Sequence, residues 1–472
     1  MTDEQAGPGD TPSWPRHAIF WHVYPLGFVG APTLAPAGDP NDPGSEAARS
    51  AGLHRLSQLT VWLDYLVDLG CNGLALAPIF SSMSHGYDTV DYFRIDPRLG
   101  TNQDFDLLAA AAHERGIKVV LDGVFNHVGK DFPAFAALPQ VGPDSIEAGL
   151  FRLTWPGGPE AWTPGTAPDY ERFEGQDWLP ELNHSSDRVA DLVTDVMCYW
   201  LGRGADGWRL DAAYAVDPAF WTRVLPRVRE RYPEAYVVGE VIHGDYTGTV
   251  EASGMDSVTQ YELWKSVWSS LENANFYELD WTLTRHAEML DQFVPWTFLG
   301  NHDTTRIASQ LTDPARLPHA VALLLTLPGL PAVYYGDEQA YRGVKEDRLG
   351  GDDEIRPRFP ASPAELSQLG APTLRLYQEL IALRRRLPWL YDAVPTMIHL
   401  DNRTYSVCLR ERGAADEDAA RVTLALSLEE APTWLPTEGR RTVLATAHDK
   451  PLPVAERDGV VLPALGWAVL GA

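Results

Sequence analysis

The feature that most constrains this chain is an alternation between residues 18 and 387. Eight short apolar or β-branched runs are separated by longer stretches, several of which show helical spacing. The runs are "AIFWHVYPL" (18–26), "GLALAP" (73–78), "KVVLDGVFN" (118–126), "DGWRLDA" (206–212), "AYVVGEV" (235–241), "SVTQYEL" (257–263), "WTFLGNHD" (296–303) and "PAVYYGDE" (331–338). Between them, "LHRLSQLTVWLDYLVDLG" (53–70) repeats apolar residues at helical spacing and stops at a glycine, and "NQDFDLLAAAAHERG" (102–116) also reads as a helix. Eight strand–helix pairs predict an α/β fold closed into a (β/α)8 TIM barrel. The chain has 472 residues, 45% of them hydrophobic, enough for a core of that size and a smaller second unit.

Two stretches break the rhythm. Residues 128–183 are rich in proline, glycine and aromatics with little periodicity, and predict an inserted subdomain after strand 3 on the active face. Beyond "LRLYQELIALRRRL" (374–387) the pattern becomes short strands and turns, as in "RTYSVCLRERG", "ARVTLALSL" and "GVVLPALGWAVL". This predicts a C-terminal all-β sandwich over 388–472. Residues 1–15 are polar and Gly/Pro-rich and read as a mobile tail, which leaves 16–387 for the barrel.

Charge narrows the partners. Lysine and arginine number 38 against 65 aspartates and glutamates, a net −27 that repels nucleic acid and anionic membranes. No basic start followed by an apolar segment marks a signal peptide, and no apolar run reaches the roughly 18 residues of a membrane span. Cys71, Cys198 and Cys408 are odd in number and widely spaced, which suits neither a disulfide framework nor a zinc site. The expected compartment is the cytoplasm.

In "GADGWRLDAA" (204–213), Arg209 and Asp211 stand two apart in a strand and face the same way. A buried structural ion pair is one reading of that spacing. The wider pattern points elsewhere, because Asp211, Glu240 and Asp303 stand at the ends of strands 4, 5 and 7, on one side of the ring. Converging carboxylates raise one another's pKa, a cost rarely tolerated except at a site of chemistry. Retaining glycoside hydrolysis needs a nucleophilic carboxylate and an acid/base carboxylate about 5 Å apart. Arg209 is expected to keep Asp211 ionised and aimed.

Four ordered motifs, "DGVFNH" (122–127), "GWRLDA" (207–212), "GEV" (239–241) and "NHD" (301–303), resemble the α-amylase superfamily of retaining glycoside hydrolases over residues 17–472. The resemblance implies Asp211 as nucleophile, Glu240 as general acid/base and Asp303 as transition-state stabiliser, with His127, Arg209 and His302 around the sugar. "HGYDTVDYF" (85–93) resembles the segment after strand 2, where Tyr87 would stack on a sugar ring and Asp88 support the pocket. "GDDEIR" (351–356) resembles the pair that binds the nonreducing side, here Asp352 and Arg356. Within the superfamily the motifs look most like the cyclomaltodextrinase, neopullulanase and maltogenic amylase group. An extra N-terminal β-domain is usual there, whereas the barrel pattern here begins almost at once, as expected of the similar cyclic maltosyl-maltose hydrolase type, and a homodimer is the assembly considered. The group's "MPKLN" reads "LPELN" (179–183), with Glu181 in place of lysine, which leaves linkage preference open.

No cofactor is expected to be required. Asp39, Asn41 and Asp42 in "AGDPNDPG" (37–44) offer hard oxygens to Ca²⁺, but an expected asparagine is Ala37 and a partner aspartate is His54. Trp155, Trp162, Phe173 and Trp178 are candidates for further sugar subsites, and His243, Asp245 and Tyr246 for the leaving-group side. The expected function is retaining hydrolysis of α-1,4 bonds in short or cyclic maltooligosaccharides, with α-1,6 bonds as a further candidate. A transglycosylase, isomerase or phosphorylase shares the framework, and a noncatalytic barrel module is a third reading. Loss of turnover on replacing Asp211 by Asn separates an enzyme from a module.

Overall fold

The computed structural model describes residues 12–348, 350–415 and 419–471. Eight parallel strands form one sheet: β1 Phe20–Val23, β2 Gly73–Leu76, β3 Lys118–Gly123, β4 Gly207–Leu210, β5 Tyr236–Gly239, β6 Ser257–Val258, β7 Trp296–Phe298 and β8 Leu330–Tyr334. Their spatial order is β6-β5-β4-β3-β2-β1-β8-β7. The ring closes between β6 and β7, where Thr259 bridges Trp296 and the Gln260 N–H donates to the Trp296 carbonyl at 2.8 Å. Helices follow the strands around the outside, among them Asn102–Glu114, Asp187–Leu201, Pro218–Arg231 and Ala371–Arg386.

The two-residue period sorts the side chains. Trp21, Leu74, Val119, Leu121, Trp208 and Val237 point outward into the large core shared with the helices. Phe20, Ala75, Val120, Val238, Phe298 and Ala332 fill the inside. A β-carbon on Gly73 would come within 2.4 Å of the Phe20 ring, so a glycine on β2 is what lets that ring close the barrel floor. Two residues beyond Phe20, Val120 and Val238, towards the C-terminal mouth, the same inward positions carry His22, Asp122 and Glu240.

Three local expectations change. Of "SVTQYEL", only Ser257–Val258 is strand; Gln260 accepts from the Leu263 N–H and caps a helix over Tyr261–Glu272. Residues 128–183 contain a helix, Pro133–Val141, and a two-stranded ribbon, Leu153–Thr154 with Asp169–Tyr170. Phe135 meets Phe151 and Tyr170 edge to face, and these rings join the insertion to the large core. Of the expected tail, residues 1–11 lie outside the described residues. Trp14 starts a 3₁₀ turn, donates to the Glu234 carbonyl and packs on Phe20 and Tyr236, because a large ring gains more by covering the barrel floor than by staying in water.

The C-terminal part is antiparallel. Strands β9 Val394–Leu400, β10 Thr404–Arg410, β11 Arg421–Ser427, β12 Thr433–Pro436, β13 Thr442–Thr446, β14 Val454–Ala455, β15 Gly459–Leu462 and β16 Trp467–Gly471 form two sheets, ordered β9-β10-β11-β16-β13 and β12-β15-β14. Ala425, Leu435, Val460, Leu462, Ala468 and Leu470 pack between them. Among the described residues, no helix is long and apolar enough to cross a membrane.

Candidate active site

At the mouth of the barrel Arg209 is surrounded by acids. Its Nη1 lies 2.8 and 2.6 Å from the two oxygens of Asp122 and 3.5 Å from Asp211 Oδ1, while Nη2 lies 2.6 Å from Glu240 Oε1. All four side chains are buried. Parallel register explains the gathering: Asp122 pairs with Arg209 across β3 and β4, and Leu210 with Gly239 across β4 and β5, so Asp211 and Glu240 leave adjacent strands at one level.

Arg209 stands beside Asp211 as the sequence placed it, and it also holds a second acid. Asp122, which the sequence motif contained but the reading left without a role, is its nearer partner. The signal was available, since Asp122 is two residues beyond the apolar Val120 on an inward-facing period. Burial, followed by the charges of Glu240 and Asp122, pushes the Asp211 carboxyl well above the usual carboxylate range, with Arg209 only partly opposing. Burial likewise raises Asp122.

Glu240 is met by donors. Ala212 N–H donates to Oε2 at 3.0 Å and Tyr261 O–H to Oε1 at 3.0 Å. Ala212 takes a left-handed backbone, φ 45° and ψ 36°, directly after Asp211. That conformation is costly for a residue with a β-carbon, and is of the kind that concentrates at working sites.

Asp303 approaches from the other side. His302 Nε2 lies 2.8 Å from its Oδ2, and Arg356 Nη2 lies 2.9 Å from both Asp303 Oδ1 and Asp352 Oδ2. Burial pushes this carboxyl up, but the charges of His302 and Arg356 outweigh it and hold it well below the usual range. Beside it a cleft of about 790 Å³ is walled by Trp178, Trp264 and Trp268. A second cleft of about 850 Å³ shares Trp178 and reaches His85 and Asp88.

The remaining expected residues are placed less simply. The Tyr87 hydroxyl donates to Asp122 Oδ2 at 3.1 Å and contacts His302 Nε2, and its ring lies parallel to the His302 ring at 5.2 Å. Asp88 is buried and accepts from Ser84 N–H and Oγ–H, supporting the loop. His127 is buried, with Nε2 against the Tyr87 carbonyl at 2.9 Å and its ring covered by Phe173 at 4.4 Å. Burial lowers it to about 4, so it is neutral.

Several candidates have partners within the fold itself. Trp155 is in the core and Trp162 packs edge-on against it, so these rings hold the insertion together. Tyr246 is buried and donates to the Ile242 carbonyl, while Asp245 caps the following helix by accepting from Gly248 N–H. His243 is exposed. Asp39 Oδ1 accepts from Asn41 N–H and Asp42 Oδ1 from Gly44 N–H, each closing its own turn, and His54 pairs with Asp104 at 2.9 Å. Among the described residues no group of three His, Cys, Asp or Glu side chains is placed to hold a metal ion.

The alpha-amylase catalytic domain matches residues 49–369 as a family model. The chain belongs to the α-amylase family. This family member is 34% identical over 410 residues to neopullulanase 2 of Thermoactinomyces vulgaris, covering 83% of this chain and 67% of that one. Among solved structures it resembles the cyclic α-maltosyl-(1→6)-maltose hydrolase of Arthrobacter globiformis, with a TM-score of 0.77 and 26% identity over 98% of this chain and 100% of that one. It also resembles the debranching enzyme of Nostoc punctiforme, with a TM-score of 0.79 and 27% identity over the same shares. The α-amylase family chain is thus a glycoside hydrolase of the cyclomaltodextrinase type.

Proposed function

We propose that the protein hydrolyses α-1,4 and α-1,6 glucosidic bonds in short or cyclic maltooligosaccharides, with retention, through a covalent glucosyl-enzyme intermediate. The observation that carries the reading is the gathering of Asp211, Glu240 and Asp303 at one barrel mouth, with Arg209 beside two of them and Arg356 beside the third. In this reading Glu240 protonates the departing oxygen while Asp211 attacks the anomeric carbon, and Asp303 holds the sugar hydroxyls in the oxocarbenium-like transition state. Water then attacks the glucosyl ester with Glu240 as base.

Burial and its acidic neighbours raise Asp211 while Arg209 partly opposes them, and positive charge developing at the anomeric carbon favours the ionised carboxylate that attacks. Asp352, Arg356 and the Trp178 cleft are assigned to sugar beyond the cleavage point, and Tyr87, Asp88, His127 and His302 to shaping the pocket around it. The three cysteines are unpaired and buried, which supports a cytoplasmic setting.

The testing experiment is a product time course on maltotetraose, a cyclodextrin, a cyclic maltose-type tetrasaccharide, pullulan, starch, sucrose and maltose, with anomers followed by NMR. Fast opening of the short and cyclic sugars to α-anomeric products, with starch largely intact, is expected. Conversion of maltose or sucrose without net hydrolysis would assign the chain to transfer or isomerisation instead.

A further inference from the structure

We propose that Tyr261 is a positioning residue for the reaction, the middle link of a one-way hydrogen-bond chain that runs from the Asp303 backbone through Asn301 to Glu240. The inference rests on Glu240 being the acid/base.

The direction of the chain follows from its first link. Asp303 N–H lies 2.9 Å from the Asn301 side chain, and a backbone N–H can only donate, so the atom it meets is the amide oxygen. The amide nitrogen is then the atom 2.8 Å from the Tyr261 hydroxyl, and it too can only donate. The phenol oxygen therefore accepts from Asn301, and its single proton points to Glu240 Oε1, 3.0 Å away. Each assignment forces the next, so a backbone amide at one end of the site dictates the proton position at the other.

The ring is fixed for this task. Tyr261 opens the helix Tyr261–Glu272 where β6 ends, and its ring is held edge-on between Trp264, at 5.8 Å, and Phe298, at 4.9 Å. It is buried, and burial together with the Glu240 and Asp303 charges keeps the phenol protonated, so its proton stays available. Tyr261 and the Ala212 N–H donate to the two oxygens of Glu240, and the Arg209 guanidinium adds its charge beside Oε1.

Donors on a carboxylate stabilise its ionised form. Glu240 reaches that form when it has given its proton to the leaving oxygen, so the Tyr261 bond strengthens as the acid step proceeds and lowers its barrier. The bond also orients the carboxylate when it later acts as base. Asn301 and Tyr261 thereby tie the placement of Glu240 to the loop that carries Asp303.

Tyr261→Phe removes the hydroxyl and keeps the ring. Two readouts separate positioning from bulk packing: the pH profile on maltotriose, and first-turnover fluoride release from α-maltosyl fluoride, whose leaving group needs little protonation. The expected result is a loss of about tenfold on maltotriose, an alkaline limb moved to higher pH, and a much smaller loss on the fluoride. An unmoved limb, or equal losses on both substrates, would overturn the proposal, and thermal unfolding identifies a misfolded variant. Asn301→Ala serves as a second variant, expected to move the limb in the same direction because the phenol proton is no longer directed. Glu240→Gln is measured in parallel. If it fails to show the same contrast between the two substrates in larger measure, the acid/base reading itself has failed; if it shows the contrast and Tyr261→Phe does not, only the Tyr261 inference has.

Discussion

Arg209 Nη1 lies 2.6 Å from Asp122 Oδ2, closer than its 3.5 Å approach to Asp211. Asp122 is therefore both the main anchor of the guanidinium and one of the charges that raise Asp211. Replacing Asp122 by Asn removes the repulsion and frees Arg209 to compensate Asp211. A nucleophile must be ionised, so activity falls as pH drops through its pKa; lowering that pKa moves the acid limb of kcat/KM to lower pH. We expect this movement together with a fall in kcat of roughly tenfold or more, since a buried guanidinium loses its anchor. A limb that stays in place would contradict the pairing.

Asp211→Asn is expected to abolish turnover by about four orders of magnitude or more while leaving the fold intact. The side chain is buried among like charges, so neutralising it relieves repulsion, and the melting temperature should stay level or rise. Calorimetry of the inactive variant checks this, and a marked drop in stability would mean that Asp211 serves the fold.

Glu174 sits at φ 49° and ψ 28° within the insertion, and its carboxylate accepts from the Tyr214 hydroxyl at 3.3 Å, beside the barrel mouth. Phe173, its neighbour, covers His127. Glu174→Gly suits the left-handed backbone, so it should stabilise by up to about 1 kcal/mol while removing the contact across the entrance. The ratio of kcat/KM on amylose to that on maltotriose should rise. An unchanged ratio would show that the contact does not restrict entry.

Acid sensitivity follows from two buried imidazoles outside the site. His286 and His319 are each lowered by burial to about 4, from an ordinary 6.5. Between those values the unfolded chain binds protons that the folded chain refuses, so stability falls as pH falls through the window. Each contributes about 1.4 kcal/mol per pH unit there. Thermal unfolding from pH 7 to pH 4.5 should show the decline, and His319→Gln should flatten it. His319 Nε2 meets the Ser427 and Gly466 carbonyls at 3.2 Å, which favour its protonated form, and burial of the added charge is what makes its protonation costly.

Chelation should change neither melting temperature nor activity, because Ala37 and His54 stand where the resembling calcium loop carries an asparagine and an aspartate. A loss on EDTA treatment that calcium restores would overturn this.

The eight strands were legible from the order of apolar runs, because each inward or outward position follows a two-residue period that local sequence records. The convergence of Asp211, Glu240 and Asp303 was legible for the same reason: in a barrel, strand ends share one face. The beginning of the helix at Tyr261 was missed because "TQYEL" has the β-branched and aromatic character of a strand, and only the Gln260 cap marks the change. Trp155 and Trp162 looked like sugar platforms because composition does not distinguish a ring facing a groove from one facing a core.

By itself, then, the sequence determined the barrel, the C-terminal sheets and the identity of the acids at the mouth, since these rest on periodicity and chain order. Tertiary structure alone decided how those acids are paired. Arg209 choosing Asp122 over Asp211, Ala212 turning left-handed to reach Glu240, and Asn301 setting the direction of the Tyr261 proton depend on distances between strands far apart in the chain. A charge interaction or a hydrogen bond changes decisively within an ångström, and no local pattern of residues specifies position that finely.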